Sequence, residues 1–232
     1  SYMKTSNLEP WRFVVSRNIL IDILPDDYDI CVCTDLDEVF EKGWRKYLED
    51  SWVGSTSRAR YNYNWSLDDN NRPLVNFYID KIHQRKNYKW TQPVHEVLTF
   101  LGDKENIITI DNIVLNHYSD KSKSRGSYLP LLELSVKEDP NDDRNMHYLG
   151  REYMYYGKWN ECIDTLIKHL NLKSSTWKDE RCASMRFIAR SYKNLGRVEE
   201  SKMLYDKAIN EAPYLRDSYV ERGILEYELD NY

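Results

Sequence analysis

No stretch of the sequence reaches the roughly 18 to 20 consecutive apolar residues that carry a chain across a bilayer, so no membrane span is expected. Basic residues are not in excess either. Thirty-three Lys and Arg stand against 38 Asp and Glu, a net charge of -5, which excludes a broad cationic surface for nucleic acid. Cysteine is sparse: Cys31, Cys33, Cys162 and Cys182 form no CxxC or Cys/His zinc spacing. Ser1-Tyr2-Met3-Lys4 carries no targeting pattern, so a cytoplasmic chain with buried, reduced thiols is expected. In such a compartment the sequon Asn64-Trp65-Ser66 has no weight.

What the chain does have is an apolar fraction of 41% beside 31% charge, enough to bury a core. It is rich in aromatics, with 19 Tyr and 7 Trp. Most of these serve packing, although flat rings also suit carbohydrate or base stacking.

Two halves differ in pattern. Residues 11–24 read as a helix with Phe13, Val14, Ile19, Leu20 and Ile23 on an apolar stripe, closed by Pro25. Residues 28–34 are a short apolar run of the buried parallel-strand type, leading into Asp35-Leu36-Asp37-Glu38. Helical spacing returns over 41–50. Alternation then predicts strands at 59–65, 75–79, 81–84, 88–90 and 107–115, with a polar turn over 66–73. After about residue 122 no strand pattern recurs, and the basic segment 121–125 reads as a solvated link. The expected fold is α/β followed by all-α, with a boundary between 122 and 123.

The second half repeats itself. Gly150, Tyr153, Gly157, Trp159, Cys162 and Leu166 align with Ala189, Tyr192, Gly196, Val198, Ser201 and Tyr205 at a constant step of 39 residues. That is a tetratricopeptide-like pattern of 34 with about five extra residues near 173–177. A further 34-residue step reaches Gly223. Residues 132–140 echo 205–213, so a half-repeat precedes the first full one. Small residues at Gly150, Ala189 and Gly223 are expected to let paired helices approach closely.

Chemistry is sought at the end of the first strand. Asp35 and Asp37 crowd two carboxylates onto one turn, which a hard divalent ion such as Mn²⁺ or Mg²⁺ would offset. His95 and Glu96 pair a base with an orienting neighbour after an aromatic and a proline turn. His117, closing the 107–115 strand, could be a third metal ligand.

The order of these features resembles the family 2 glycosyltransferases that carry C-terminal tetratricopeptide repeats. The residues concerned are Arg17-Asn18, residues 34–38, residues 81–85, residues 88–90, Val94-His95-Glu96, residues 116–118 and then the repeats. The resemblance implies part of an A-type glycosyltransferase domain over 1–122 and helical repeats over 123–232. It implies metal-dependent inverting transfer from a nucleoside-diphosphate sugar to a glycan, lipid or protein acceptor. Asp37, Asp35 and His117 would hold the metal. Asp35, Arg17 and Trp90 would contact the nucleotide sugar, and Glu96, with His95 beside it, would be the base. Only 34 residues precede Asp35, with no Gly-rich nucleotide-binding start, so the resemblance implies either a fragment or natural truncation of a transferase, which could be inactive alone, or a partner that supplies the missing half.

The short leading segment also fits another expectation. In it the repeats form a non-catalytic scaffold for a protein or peptide partner, or for self-association, and the first half is a degenerate remnant. A metal-dependent phosphohydrolase would need more clustered ligands than the sequence offers.

Overall fold

The computed structural model describes residues 13–25, 27, 29–119 and 128–229, which fall into two compact units, 13–119 and 128–229. The expected boundary at 122–123 and the basic link at 121–125 lie outside the described residues.

The first unit contains α1 (Phe13–Asp22), β1 (Ile30–Val32), β2 (Glu38–Phe40), α2 (Trp44–Ser51), β3 (Arg58–Leu67), β4 (Pro73–Gln84), β5 (Tyr88–Thr91), β6 (Val97–Phe100) and β7 (Ile107–His117). Five strands form one sheet in the order β1-β4-β3-β7-β2, and β5 and β6 pair separately. Only β3 and β7 run parallel; the other pairings of the sheet are antiparallel. Alternation places Ala59, Tyr61 and Tyr63 of β3 on a face shared with Ile82, Ile113 and Leu115. Leu48 of α2 closes that core, flanked by Trp44 and Trp52.

One strand expectation changes character. The run 28–34 is not a buried parallel strand but a three-residue edge strand, antiparallel to β4. Cys31 is buried and Val32 is exposed, the one-sided pattern of an antiparallel edge. The two candidates at 75–79 and 81–84 merge into the single long β4.

The second unit is helical: α3 (Tyr128–Glu138), α4 (Asp143–Tyr155), α5 (Trp159–Asn171), α6 (Lys178–Asn194), α7 (Val198–Glu211) and α8 (Arg216–Glu228). Asp142 caps α4, accepting from the Asn145 amide at 2.7 Å. Gly157 and Gly196 follow α4 and α6 with φ of 69° and 74°. They occupy equivalent places in successive repeats, where the left-handed turn into the next helix favours a residue without Cβ.

Helix pairs α4–α5 and α6–α7 are the two repeats, and α8 begins the next. Met154, Cys162, Ile163, Leu166 and Ile188 join the first pair to the second. Ala189, Tyr205 and Leu225 carry the packing on to α8. Helical repeats therefore stand as expected. The close approach holds at Gly150, where an added Cβ would lie 2.3 Å from Leu166 Cδ2, but at Gly223 it would meet nothing within 4 Å.

Candidate functional site

The acidic triplet sits between β1 and β2 and is held from several directions. Arg17 of α1 and Lys81 of β4 both reach Asp35, Lys81 Nζ at 3.2 Å from Oδ2. Lys81 also lies 2.8 Å from Glu38 Oε1, which accepts from the Tyr63 hydroxyl at 2.9 Å. Glu38 Oε2 accepts from the Asp35 amide at 2.8 Å, closing the turn onto itself. Burial pushes the Asp35 carboxyl up, but Lys81 and Arg17 outweigh it and hold the group below its ordinary value. Burial, then the Glu38 carboxylate, pushes the Tyr63 phenol up, so it stays a donor.

Arg17 lies with its guanidinium carbon 4.8 Å from the centre of the Trp90 ring. Asn18 fixes that strand by a two-way bond to the Trp90 backbone, both at 2.9 Å. Arg17, which the resemblance set beside Asp35 and Trp90, thus meets both. So do Asp37 and His117, through the pairing of β2 with β7: His117 Nε2 is 3.5 Å from Asp37 Oδ2. The His117 Nδ1–H donates to the Trp65 carbonyl at 2.9 Å, which aims Nε2 at the carboxylate. These two could share a cation. His95 and Glu96 lie in the turn between β5 and β6, where His95 has a φ of 54°.

Sequence reasoning quoted the segments holding Glu38 and Lys81 but gave Glu38, Lys81 and Tyr63 no role of their own. The alternation Tyr61–Tyr63 on β3 and Lys81–His83 on β4 was the signal that could have found them. Replacing Lys81 with Met strips the cation from a carboxylate whose side chain is 2% exposed. The variant should lose about 2 kcal/mol in urea denaturation. A loss under about 0.5 kcal/mol would show that Glu38 does not depend on Lys81.

The helical unit holds a second region. Helix α6 neighbours both α4 and α8, and the three border a groove of about 470 Å³ lined by Tyr155, Trp159, Arg190, Lys193, Asn194 and Ile224. Its floor is an ionic knot. Glu221 accepts from Arg186 Nε at 2.8 Å, from Arg190 Nε at 2.9 Å and from the Tyr205 hydroxyl at 3.3 Å. Burial pushes the Glu221 carboxyl up, but Arg190 and Arg186 hold it below its ordinary value. Sequence reading reached Trp159 and Tyr205 as repeat positions but not Arg186, Arg190 or Glu221, which lie between the positions that carry the repeat pattern.

No family model matches the chain, and no curated protein matches it. Solved structures do resemble it. The N-terminal domain of stress-induced protein-1 (STI-1) from C. elegans is 13% identical, covering 46% of this chain and 84% of that one, with a TM-score of 0.40. MamA (AMB-1) is 18% identical over 48% of this chain and 58% of its own, with a TM-score of 0.39. TTC0263, a thermophilic TPR protein in Thermus thermophilus, is 21% identical over 47% and 54%, with a TM-score of 0.38. The chain therefore spans less than two thirds of those MamA and TTC0263 chains.

None of these structures is a glycosyltransferase, and the family 2 resemblance is corrected accordingly, together with the enzyme and sugar transfer it implied. The physical reason lies in the sheet. Asp35-Leu36-Asp37 follows a short antiparallel edge strand rather than the carboxyl end of a parallel one, where α/β sheets bind nucleotides. Asp35 is neutralised from within by Arg17 and Lys81. The helical-repeat unit is retained, and no helix among the described residues is long and apolar enough to cross a membrane.

Proposed function

We propose that the chain is a non-catalytic repeat scaffold that captures a protein or peptide segment in the groove bordered by α4, α6 and α8. The observation that carries this reading is the groove itself. It combines exposed Tyr155 and Ile224 with Arg190 and Lys193 on a floor braced by Glu221. Apolar anchors flanked by fixed charges suit a short segment, burying its side chains while orienting its polar groups.

The test is peptide display against the immobilised full chain, followed by titration of the enriched sequences. Ile224→Asp places an unpaired charge on the apolar wall and should weaken binding at least about tenfold, or ~1.4 kcal/mol. Tyr155→Ala should act in the same direction. Lys81→Met, in the sheet unit, should leave affinity unchanged. Selected peptides that bind the groove variants as tightly as the parent would sink the reading. Self-association through the same helices is the competing outcome. It is recognised by a concentration-dependent mass in sedimentation that Ile224→Asp abolishes.

A further inference from the structure

The helical unit buries a polar cluster that the repeat pattern does not require. His147 of α4, His169 of α5 and Glu180 of α6 each offer one ligand atom, and these atoms lie within 4.8 Å of one another. His169 is fully buried, His147 nearly so, and the Glu180 side chain is 13% exposed. Ser184 sits between the two rings, its Oγ 2.7 Å from His147 Nδ1 and 3.0 Å from His169 Nδ1. On the far side of its ring, His169 Nε2 is 3.3 Å from Glu180 Oε1 and 3.1 Å from Ser175 Oγ.

The next repeat shows what the fold itself needs here. The constant 39-residue step places Ala208 where His169 stands and Arg186 where His147 stands. Ala208 is fully buried in an apolar cluster with Cys182, Met185 and Ala212. Two imidazoles and a carboxylate are therefore an addition to the repeat, and burying them costs free energy unless something offsets it. The extra residues near 173–177 supply Ser175, which is buried against His169. Among the described residues no Lys or Arg pairs with Glu180.

Glu180, His169 and Ser184 also have the order of a hydrolase triad. Ser184, however, is fully buried within α6, where no acyl group can reach it. A small ion faces no such barrier, since Glu180 opens to the surface.

We propose that His147, His169 and Glu180 form a zinc site that clasps the first repeat to the second. Two imidazole nitrogens and one carboxylate oxygen are a zinc donor set, with Ser175 Oγ or a water completing the tetrahedron. Bonds of about 2.0 to 2.2 Å place neighbouring donors roughly 3.3 to 3.6 Å apart. His169 Nε2 and Glu180 Oε1 already have that separation. When Ser184 Oγ accepts from the His169 Nδ1–H, the His169 Nε2 lone pair on the Glu180 side is left for the metal. This is the outer-shell support that metal-bound histidines usually have.

The experiment uses the full chain, stripped with EDTA and titrated with Zn²⁺, then with Co²⁺ as an optical reporter. One Zn²⁺ per chain should bind and raise the melting temperature by about 5 to 10 °C at a hundredfold excess over Kd. Co²⁺ should give the intense visible bands of a tetrahedral site. Glu180→Gln keeps the shape, and His169→Ala installs the residue the next repeat carries, so both should fold. Each should weaken Zn²⁺ binding by at least about tenfold. Gly223→Ala should bind Zn²⁺ as the parent does. No thermal shift and no visible bands in the parent would overturn the proposal, as would equal binding in Glu180→Gln and His169→Ala.

Discussion

Gly150→Val should lower the stability of the chain by about 3 to 4 kcal/mol and its melting temperature by about 10 °C. A Cβ at Gly150 would fall 2.3 Å from Leu166 Cδ2 and 2.4 Å from its Cγ. Leu166 is fully buried among Met154, Cys162, Ile163 and Ile188, so it cannot swing aside without opening that core. A branched side chain adds a second methyl to the collision and gives up rotamer freedom in the helix. Gly223 supplies the control. It occupies the same repeat position, but an added Cβ there meets nothing within 4 Å. Gly223→Ala should therefore be neutral or stabilising by up to about 1 kcal/mol, the ordinary helix preference for alanine. Thermal denaturation of the two variants side by side checks both. Equal losses would mean that packing against Leu166 is not what selects glycine at 150.

Acidification should unfold the metal-free chain through His147. Its imidazole, buried beside His169 and Arg151, is pushed from 6.5 down to about 3 in the folded state. The folded pKa lies below the unfolded one, so as pH falls the unfolded chain takes up the proton first. Stability from this group is complete above pH 6.5 and is lost between 6.5 and 3. The loss should be about 2 kcal/mol by pH 5 and about 4 to 5 by pH 3. His83 acts with the same sign, since its burial also lowers its pKa. Urea denaturation in EDTA at pH 7 and pH 5 measures the first part. His147→Gln, which can still bond Ser184, should flatten most of the slope. An unchanged slope in that variant would remove His147 as the cause.

The repeats were legible in the sequence because each repeat position meets nearly the same surroundings. Tyr153 and Tyr192, or Gly157 and Gly196, keep their roles across a fixed step. The strands at 59–65 and 107–115 were legible for the same kind of reason, a period of two over a half-buried face. Strand order was not legible. Nothing local in residues 28–34 distinguishes a central parallel strand from a three-residue edge, because pairing partners are set by distant chain. The resemblance grouped Arg17 with Asp35 and Trp90, and Asp37 with His117, and these side chains lie near one another in the structure. The function read into them did not follow. An acidic pair acquires its meaning from its neighbours, and here those include Arg17 and Lys81. Nothing in the sequence pattern pointed to His147 and His169, because their shared partner, Ser184, lies in the next repeat.

The sheet order also sets when each strand can be satisfied during folding. β7 is the last strand in sequence, yet it lies between β3 and β2. Arg58 finds Ile107 and Glu38 finds His117 only once that final strand is in place. Until then β2 has no partner within the sheet, and β3 keeps one edge open to any other extended chain. Helix pairs such as α4–α5 and α6–α7 close between neighbours in sequence and meet no such delay. The sheet unit thus carries the high contact order of the molecule, and its closure waits on a single strand.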